Sequence, residues 1–231
     1  STLKFHIYSK DEVKVEYSIS YTDRDELSED EIFDEGFTLD DDYKWKGPVP
    51  TLWIGEFQSI WASSKMNRQR EEKEFEDFIE LEFEEEGKRV TVYPVDKERW
   101  TYFLQEFAQA IFESAGKEKP FELNYLQIQG GERKQLEFKA SFAHKTFNMR
   151  KNGGAEIALD WSQLEKVMNT VYRAEFVDDL ALESKPSKNG IYISTEPNWW
   201  YEFGVSLIEP KSKSKELPKI EALFANLESG Q

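Results

Sequence analysis

The chain predicts an α+β fold, a mostly antiparallel sheet with helices packed on one face. Three observations carry this expectation. Short runs of alternating apolar and polar residues are separated by hairpin-type turns. Two segments place apolar residues at helical spacing behind an Asp. Strands and helices do not alternate in the strict order that a parallel βαβ sheet needs. With 39% hydrophobic and 15% aromatic residues in 231 positions, there is ample apolar surface for a core, which excludes the disordered class.

Leu3, Phe5 and Ile7 alternate with Lys4, His6 and Tyr8, and Val13, Val15, Tyr17 and Ile19 with Lys14, Glu16 and Ser18. This predicts two amphipathic strands joined by a turn around residues 9–11. Residues 21–46 then break the alternation and read as a long acidic excursion. It holds one short helix, with Ser28 and Glu31 as a capping box and Gly36 as the stop. After Gly47-Pro48-Val49-Pro50, residues 51–61 are apolar on both faces and predict a strand buried on both sides. Further strands are expected at about 75–84 and 88–95.

Asp96 is a good N-cap, and Trp100, Phe103, Leu104, Phe107 and Ile111 follow at 3.6-residue spacing up to Gly116. The layout recurs later in the chain, where Ile157 and Leu159 lead into Asp160, followed by Leu164, Val167, Met168 and Val171. Strands are expected at 121–128 and 135–143, joined through Gln129-Gly130-Gly131-Glu132, with a second turn at Asn152-Gly153-Gly154. Together these suggest an internal repeat of two βββα units. Strands at 190–195 and 199–208, a Lys211–Lys215 linker and a helix from Leu217 to Leu227 complete the chain. The expected organisation is an acidic half, 1–115, and a near-neutral half, 116–231, within one compact body.

The division is sharpest in charge. Residues 1–115 hold 29 Asp and Glu against 14 Lys and Arg, net −15, while residues 116–231 hold 17 against 16. A field of that sign concentrates cationic partners and repels nucleic acid. Two addresses account for most of it: 11 acids lie in residues 23–42 and 10 in residues 71–86.

The second address reads as a ladder. On a strand, Glu74, Glu76, Glu80, Glu82 and Glu84 share one face, broken by Phe78, with Ile79, Leu81 and Phe83 on the other. Same-face neighbours on a strand stand about 6.7 Å apart, so each adjacent pair repels by about 0.6 kcal/mol in water. Folding does not need that repulsion. A row of carboxylates imitates a nucleic-acid backbone or meets a Lys/Arg-rich protein surface; it also serves as a solvated face with cross-strand partners such as Lys88 and Arg89. The first address interleaves Asp40, Asp41 and Asp42 with Ile32, Phe33, Phe37, Leu39, Tyr43 and Trp45. Acid steers and aromatics anchor, the composition of an interface hot spot. Phe37 and Trp45 are the expected apolar anchors, and Glu76, Glu80, Glu82, Glu84 and Asp40–Asp42 the expected charge.

Catalytic signatures are sparse. There is no G-x-S-x-G, no G-x-x-x-x-G-K-[ST] and no G-x-G-x-x-G. Asp40–Asp42 lack the spacing and the later Glu of a calcium loop. With His6 and His144 far apart and no cysteine, no metal or other cofactor is expected. His6 falls on a polar strand face and His144 at the end of a strand. The alternative is metal-dependent phosphodiester cleavage, with Glu137 and Lys139 as an E-x-K pair and Glu122 as a third group. The run Asn198–Phe203 could stack sugars or bases, but such clusters more often belong to the core.

In general character the chain resembles small inhibitor proteins of bacteria and phages, such as immunity proteins and nucleic-acid mimics. This resemblance is one of composition across the chain and rests on no motif. It implies a non-enzymatic protein that occludes a basic toxin, nuclease or nucleic-acid-binding protein. The expected partner is therefore a basic protein, with no direct nucleic-acid contact. A second alternative is a structural or assembly subunit whose contact surface is the near-neutral half. No apolar h-region opens the sequence and no stretch approaches the ~20 apolar residues of a membrane span, so the expectation is a soluble, cytoplasmic protein.

Overall fold

The structure, a computed structural model, describes residues 2–9, 12–21, 27–34, 36–69, 78–211 and 213–230. It is α+β with antiparallel pairing between its strands. The chain divides into two compact units: Ser1–Lys119 with Phe142–His144, and Pro120–Ser141 with Lys145–Gln231.

The first unit opens with β1 (Thr2–Ser9) and β2 (Glu12–Ile19), antiparallel as the alternation requires, with Phe5 opposite Val15. Helix α1 (Glu29–Asp34) follows. Next comes a strand that the sequence reading missed, β3 (Tyr43–Val49), which pairs with β2 from Ile19↔Tyr43 to Val13↔Val49. Its alternation of Tyr43, Trp45 and Val49 against Lys44, Lys46 and Pro48 is hidden by the Gly-Pro and by Pro50. Pro48 is tolerated because β3 is an edge strand, where the missing N–H faces no partner. Gly47 is required by packing: a Cβ there would lie 2.3 Å from Cζ2 of the Trp45 ring.

The expected strand at 51–61 is instead helix α2 (Leu52–Ser63). Trp53, Phe57, Ile60 and Trp61 stand at i, i+4, i+7 and i+8, a helical stripe concealed inside a nearly continuous apolar run. Strand β4 (Met66–Asn67) and the hairpin β5 (Leu81–Glu85) with β6 (Lys88–Pro94) form a sheet of order β4-β6-β5. The strand expected from about 75 therefore begins later among the described residues; its last pair is Leu81↔Val92. Helix α3 (Lys97–Ser114) starts as predicted, with the Asp96 carboxylate accepting from the Arg99 N–H.

The core of this unit is aromatic. Trp53 and Trp100 are fully buried, and the Trp53 ring lies 4.8 Å from Phe107 and 6.0 Å from Phe103. The Trp53 indole N–H donates to the Ala143 carbonyl at 3.1 Å. The Glu113 carboxylate accepts from the Phe142 and Ala143 N–H groups at 2.7 and 3.3 Å. That Trp and that Glu hold the Phe142–His144 segment within the unit.

The second unit is built on one six-stranded sheet of order β10-β9-β8-β7-β12-β13. Strands β7 (Phe121–Gln129) and β8 (Glu132–Ser141) meet at the predicted Gly130-Gly131 turn, where φ of +61° and +88° favours glycine. Strand β9 (Thr146–Lys151), unforeseen because Asn148 and Arg150 dilute its apolar signal, leads to β10 (Glu156–Leu159). Then come α4 (Ser162–Val171), the short β11 (Glu175–Phe176) and a 3-10 turn at Asp178–Leu180. Strands β12 (Gly190–Glu196), β13 (Trp199–Glu202) and β14 (Leu207–Ile208) and helix α5 (Glu216–Ser229) complete the unit. The single strand expected at 199–208 is thus two, split by a turn at Gly204 with φ +74°.

Four meandering strands precede α4, whereas the three-stranded sheet β4-β6-β5 precedes α3. The structure does not confirm the internal repeat.

Phe224 of α5 packs against Tyr125 and Phe138 of the sheet, with ring centroids 4.7 and 5.3 Å apart. On the other face Leu126, Ile128, Tyr192 and Trp200 form a smaller buried cluster. Burial, together with the charges of Glu221 and Glu228, pushes the Tyr125 hydroxyl up to about 12. Helix α5 is also fastened by charge, since the Glu228 carboxylate meets both Lys134 of β8 and Lys151 of β9, the latter at 2.5 Å. Burial raises the Glu228 carboxyl, and its two lysine partners more than offset this, holding it below the ordinary glutamate value.

A group depressed in the folded state contributes stability above its unfolded pKa and loses it as pH falls through the folded one. Glu228→Gln should therefore reduce stability at neutral pH by about 1 kcal/mol, seen as a lower thermal midpoint, the effect being modest because both lysines are partly solvated. The difference from the parent should shrink as pH drops below the ordinary glutamate range in calorimetric scans. Trp53→Ala should cost about 3–5 kcal/mol, read as loss of the unfolding transition that reports the first unit.

Candidate functional site

The first acidic address folds around α1. Its capping box forms as expected: the Ser28 N–H donates to Glu31 at 2.9 Å, and the Glu31 N–H to the Ser28 hydroxyl at 3.4 Å. The Ser28 N–H, and then its hydroxyl, hold the Glu31 carboxyl below its ordinary value. Glu29, Asp30 and Glu31 in the first turn suit the positive end of the helix. Only Ile32 of this helix is buried. By contrast, Leu27 is 45%, Phe33 52%, Phe37 40% and Leu39 55% exposed, and Tyr21 38%. Between 38% and 52% of the surface of Tyr21, Phe33 and Phe37 therefore faces water, beside carboxylates.

The three consecutive aspartates differ in their local roles. Asp40 is exposed. The Asp41 carboxylate accepts from the Thr38 N–H and hydroxyl at 2.5 and 2.7 Å, closing the turn. Asp42 accepts from the Tyr21 N–H at 3.1 Å, and the Tyr21 ring lies 5.4 Å from Phe37. One carboxylate thus ties the end of β2 to the start of β3 and sets an exposed aromatic pair beside three acids. Trp45, the other expected anchor, packs against the core of its own unit and is half-buried.

Next to Asp42 stands Tyr43, and sequence reasoning missed what surrounds it. The Tyr43 ring lies 5.4 Å from Phe112 of α3, inclined at 61°, and Tyr17 stands edge-on to Phe112 at 5.7 Å. The Lys117 ammonium sits 4.2 Å from the Tyr43 ring centroid and 5.2 Å from that of Phe112. Burial raises the Tyr43 hydroxyl, and burial with the neighbouring Tyr21 and Tyr43 raises that of Tyr17, so both phenols stay neutral at physiological pH. The one available signal was the period-two placement of Tyr43 and Trp45.

The second address is only partly described. Glu76 lies outside the described residues, as does Glu74. Glu80 precedes β5 and accepts from the Tyr93 hydroxyl at 3.0 Å. Glu82 and Glu84 do share the outward face of β5. Glu82 is paired with Arg89 at 3.2 Å, and Glu84 stands opposite Arg89 in the register. The cross-strand partners expected for a solvated face are therefore present.

Glu122, Glu137 and Lys139 are brought onto one face of the six-stranded sheet. Glu122 pairs with Lys139 at 3.0 Å, and Glu137, opposite Asn124, accepts from the Gln135 amide at 2.8 Å. Among the described residues no group of three His, Asp or Glu is placed to hold a metal ion. In the run at 198–203, Trp200 and Tyr201 are buried on opposite sheet faces and Trp199 is 38% exposed. The side chain of His6 lies outside the described residues. No described helix is long and apolar enough to cross a membrane.

No protein-family model matches this chain, and neither does any curated protein or any solved structure.

Asp42→Ala removes the carboxylate that holds the Tyr21 N–H. The amide of Tyr21 should then exchange with deuterium at least tenfold faster, while the amides of α3 keep their protection.

Proposed function

We propose that this protein is a non-enzymatic acidic binding protein that engages a basic protein surface through its first unit. The observation that carries the reading is the surface around α1 and the start of β3. There Tyr21, Leu27, Phe33, Phe37 and Leu39 are all exposed among Glu29, Asp30, Glu31, Asp34, Asp40 and Asp42. Exposed apolar area rimmed by charge of one sign marks an interaction surface. The acids raise the encounter rate of a cationic partner, and the aromatics supply area that is desolvated on docking. Glu82 and Glu84 add charge on the β5 face. A partner whose own ligand is a polyanion, such as a nuclease, a toxin or a nucleic-acid-binding protein, would be occluded by this surface, with no contact between this protein and nucleic acid.

The test uses deca-lysine as the probe, titrated against the full chain at low and high salt. Asp40→Lys with Glu84→Lys should weaken binding at least tenfold at low salt, and Phe37→Ala should weaken it further. The same charge change placed in the second unit, Glu132→Lys with Glu183→Lys, should leave affinity within about twofold. Equal losses from both pairs of reversals would reduce the effect to net charge and sink the proposal.

A further inference from the structure

We infer that the aromatic corner formed by Tyr43 and Phe112 is a cation receptor, and that Lys117 is its resident occupant, displaced by a lysine or arginine side chain of the basic partner. This rests on the reading of the first unit as a receptor for basic surfaces.

The corner is preorganised. Tyr43 is fixed by its place in β3 opposite Ile19, and Phe112 by α3. Tyr17, 7% exposed, braces Phe112 edge-on at 5.7 Å. An ammonium already lies within cation–π range of both ring faces, which demonstrates the chemistry of the site. Lys117 reaches it through its backbone: the N–H groups of Lys117 and Glu118 both donate to the Phe112 carbonyl, at 2.9 and 3.2 Å, so the chain turns back over the ring at the end of α3.

The occupant is held loosely. Lys117 is exposed, and its contact with the rings is the cation–π one. A tethered side chain competes with an incoming one as though present at about millimolar concentration. A free cation therefore meets a modest barrier, and a cation delivered by a docked surface meets almost none. Asp42 neighbours Tyr43 in sequence and ties it to Tyr21, which continues the acidic and aromatic surface up to the corner. The first half's net charge of −15 favours a cationic ligand over any other class that would stack on aromatic rings.

Tetramethylammonium and deca-lysine are the probes, followed by the ring resonances of Tyr43 and Phe112 in the full chain. Lys117→Ala should tighten tetramethylammonium binding at the corner by about two- to fivefold, the gain expected on removing an exposed cation–π occupant. Tyr43→Leu in the Lys117→Ala background keeps apolar volume without a π face and should abolish the shifts at Phe112. An unchanged thermal midpoint verifies folding of both variants. If Lys117→Ala shows no ring shifts with tetramethylammonium, or no gain over the parent, the inference is overturned.

Deca-lysine separates this inference from the one beneath it. If Tyr43→Leu weakens deca-lysine binding and the Asp40 and Glu84 reversals do not, the corner stands and the acidic surface falls. If the reversals weaken it and Tyr43→Leu has no effect on either probe, the acidic surface stands and the corner falls.

Discussion

Burial of an aromatic ridge is the constraint on which the first unit depends. Trp100, Phe103, Phe107 and Ile111 run along one side of α3, and Trp53 of α2 lies against them with its full surface removed from water. Val13, Val15 and Val49 of the three-stranded sheet close the same core. A unit this acidic repels itself when compact, so its apolar contacts have to exceed that repulsion. The size of the side chains answers the requirement: each aromatic contributes far more buried area than an aliphatic would. The second unit carries almost no net charge and joins its buried rings, Tyr125, Phe138, Phe147, Tyr192, Trp200, Tyr201 and Phe224, to a larger set of aliphatic residues such as Leu123, Leu136, Val167, Ile193 and Leu223.

The same ridge explains why the candidate surface can exist. Because α3 and α2 satisfy the core, Ile32 is the one buried apolar side chain among the described residues of the excursion between β2 and β3. Its remaining apolar side chains are left at the surface. Local hydrogen bonds, from the Ser28 capping box to the Asp41 turn and the Asp42 bond to Tyr21, give shape to a segment with little burial. Some of its carboxylates thus have two roles, holding the backbone locally and contributing to the field outside.

Legibility in the sequence followed the strength of local signals. Helix α3 was readable because Asp96, the 3.6-residue stripe and Gly116 agree with one another. The β7–β8 hairpin was readable because a Gly-Gly pair between two alternating runs is a strong hairpin signal. Helix α2 was misread since its apolar residues nearly fill the run, which erases the periodicity that distinguishes helix from buried strand. Strand β3 escaped because Gly47 and Pro48 resemble a turn until the edge position and the Trp45 ring over Gly47 are known. The acidic addresses were visible as composition, but the cation corner was not. Tyr17, Tyr43, Phe112 and Lys117 come from β2, β3, α3 and the turn after α3, and only the fold brings them together.

The connection from β2 to β3 has a kinetic consequence. In the second unit, strands β7 to β10 follow one another through tight turns, so each pairing closes a small loop. In the first unit β3 finds β2 only after the whole excursion is spanned, and closing a longer loop costs more entropy. Because that loop is dense in like charges, it is also stretched when unfolded. Added salt relaxes the stretch and brings the strand ends nearer. Assembly of the first sheet is therefore tied to ionic strength in a way that the second sheet is not.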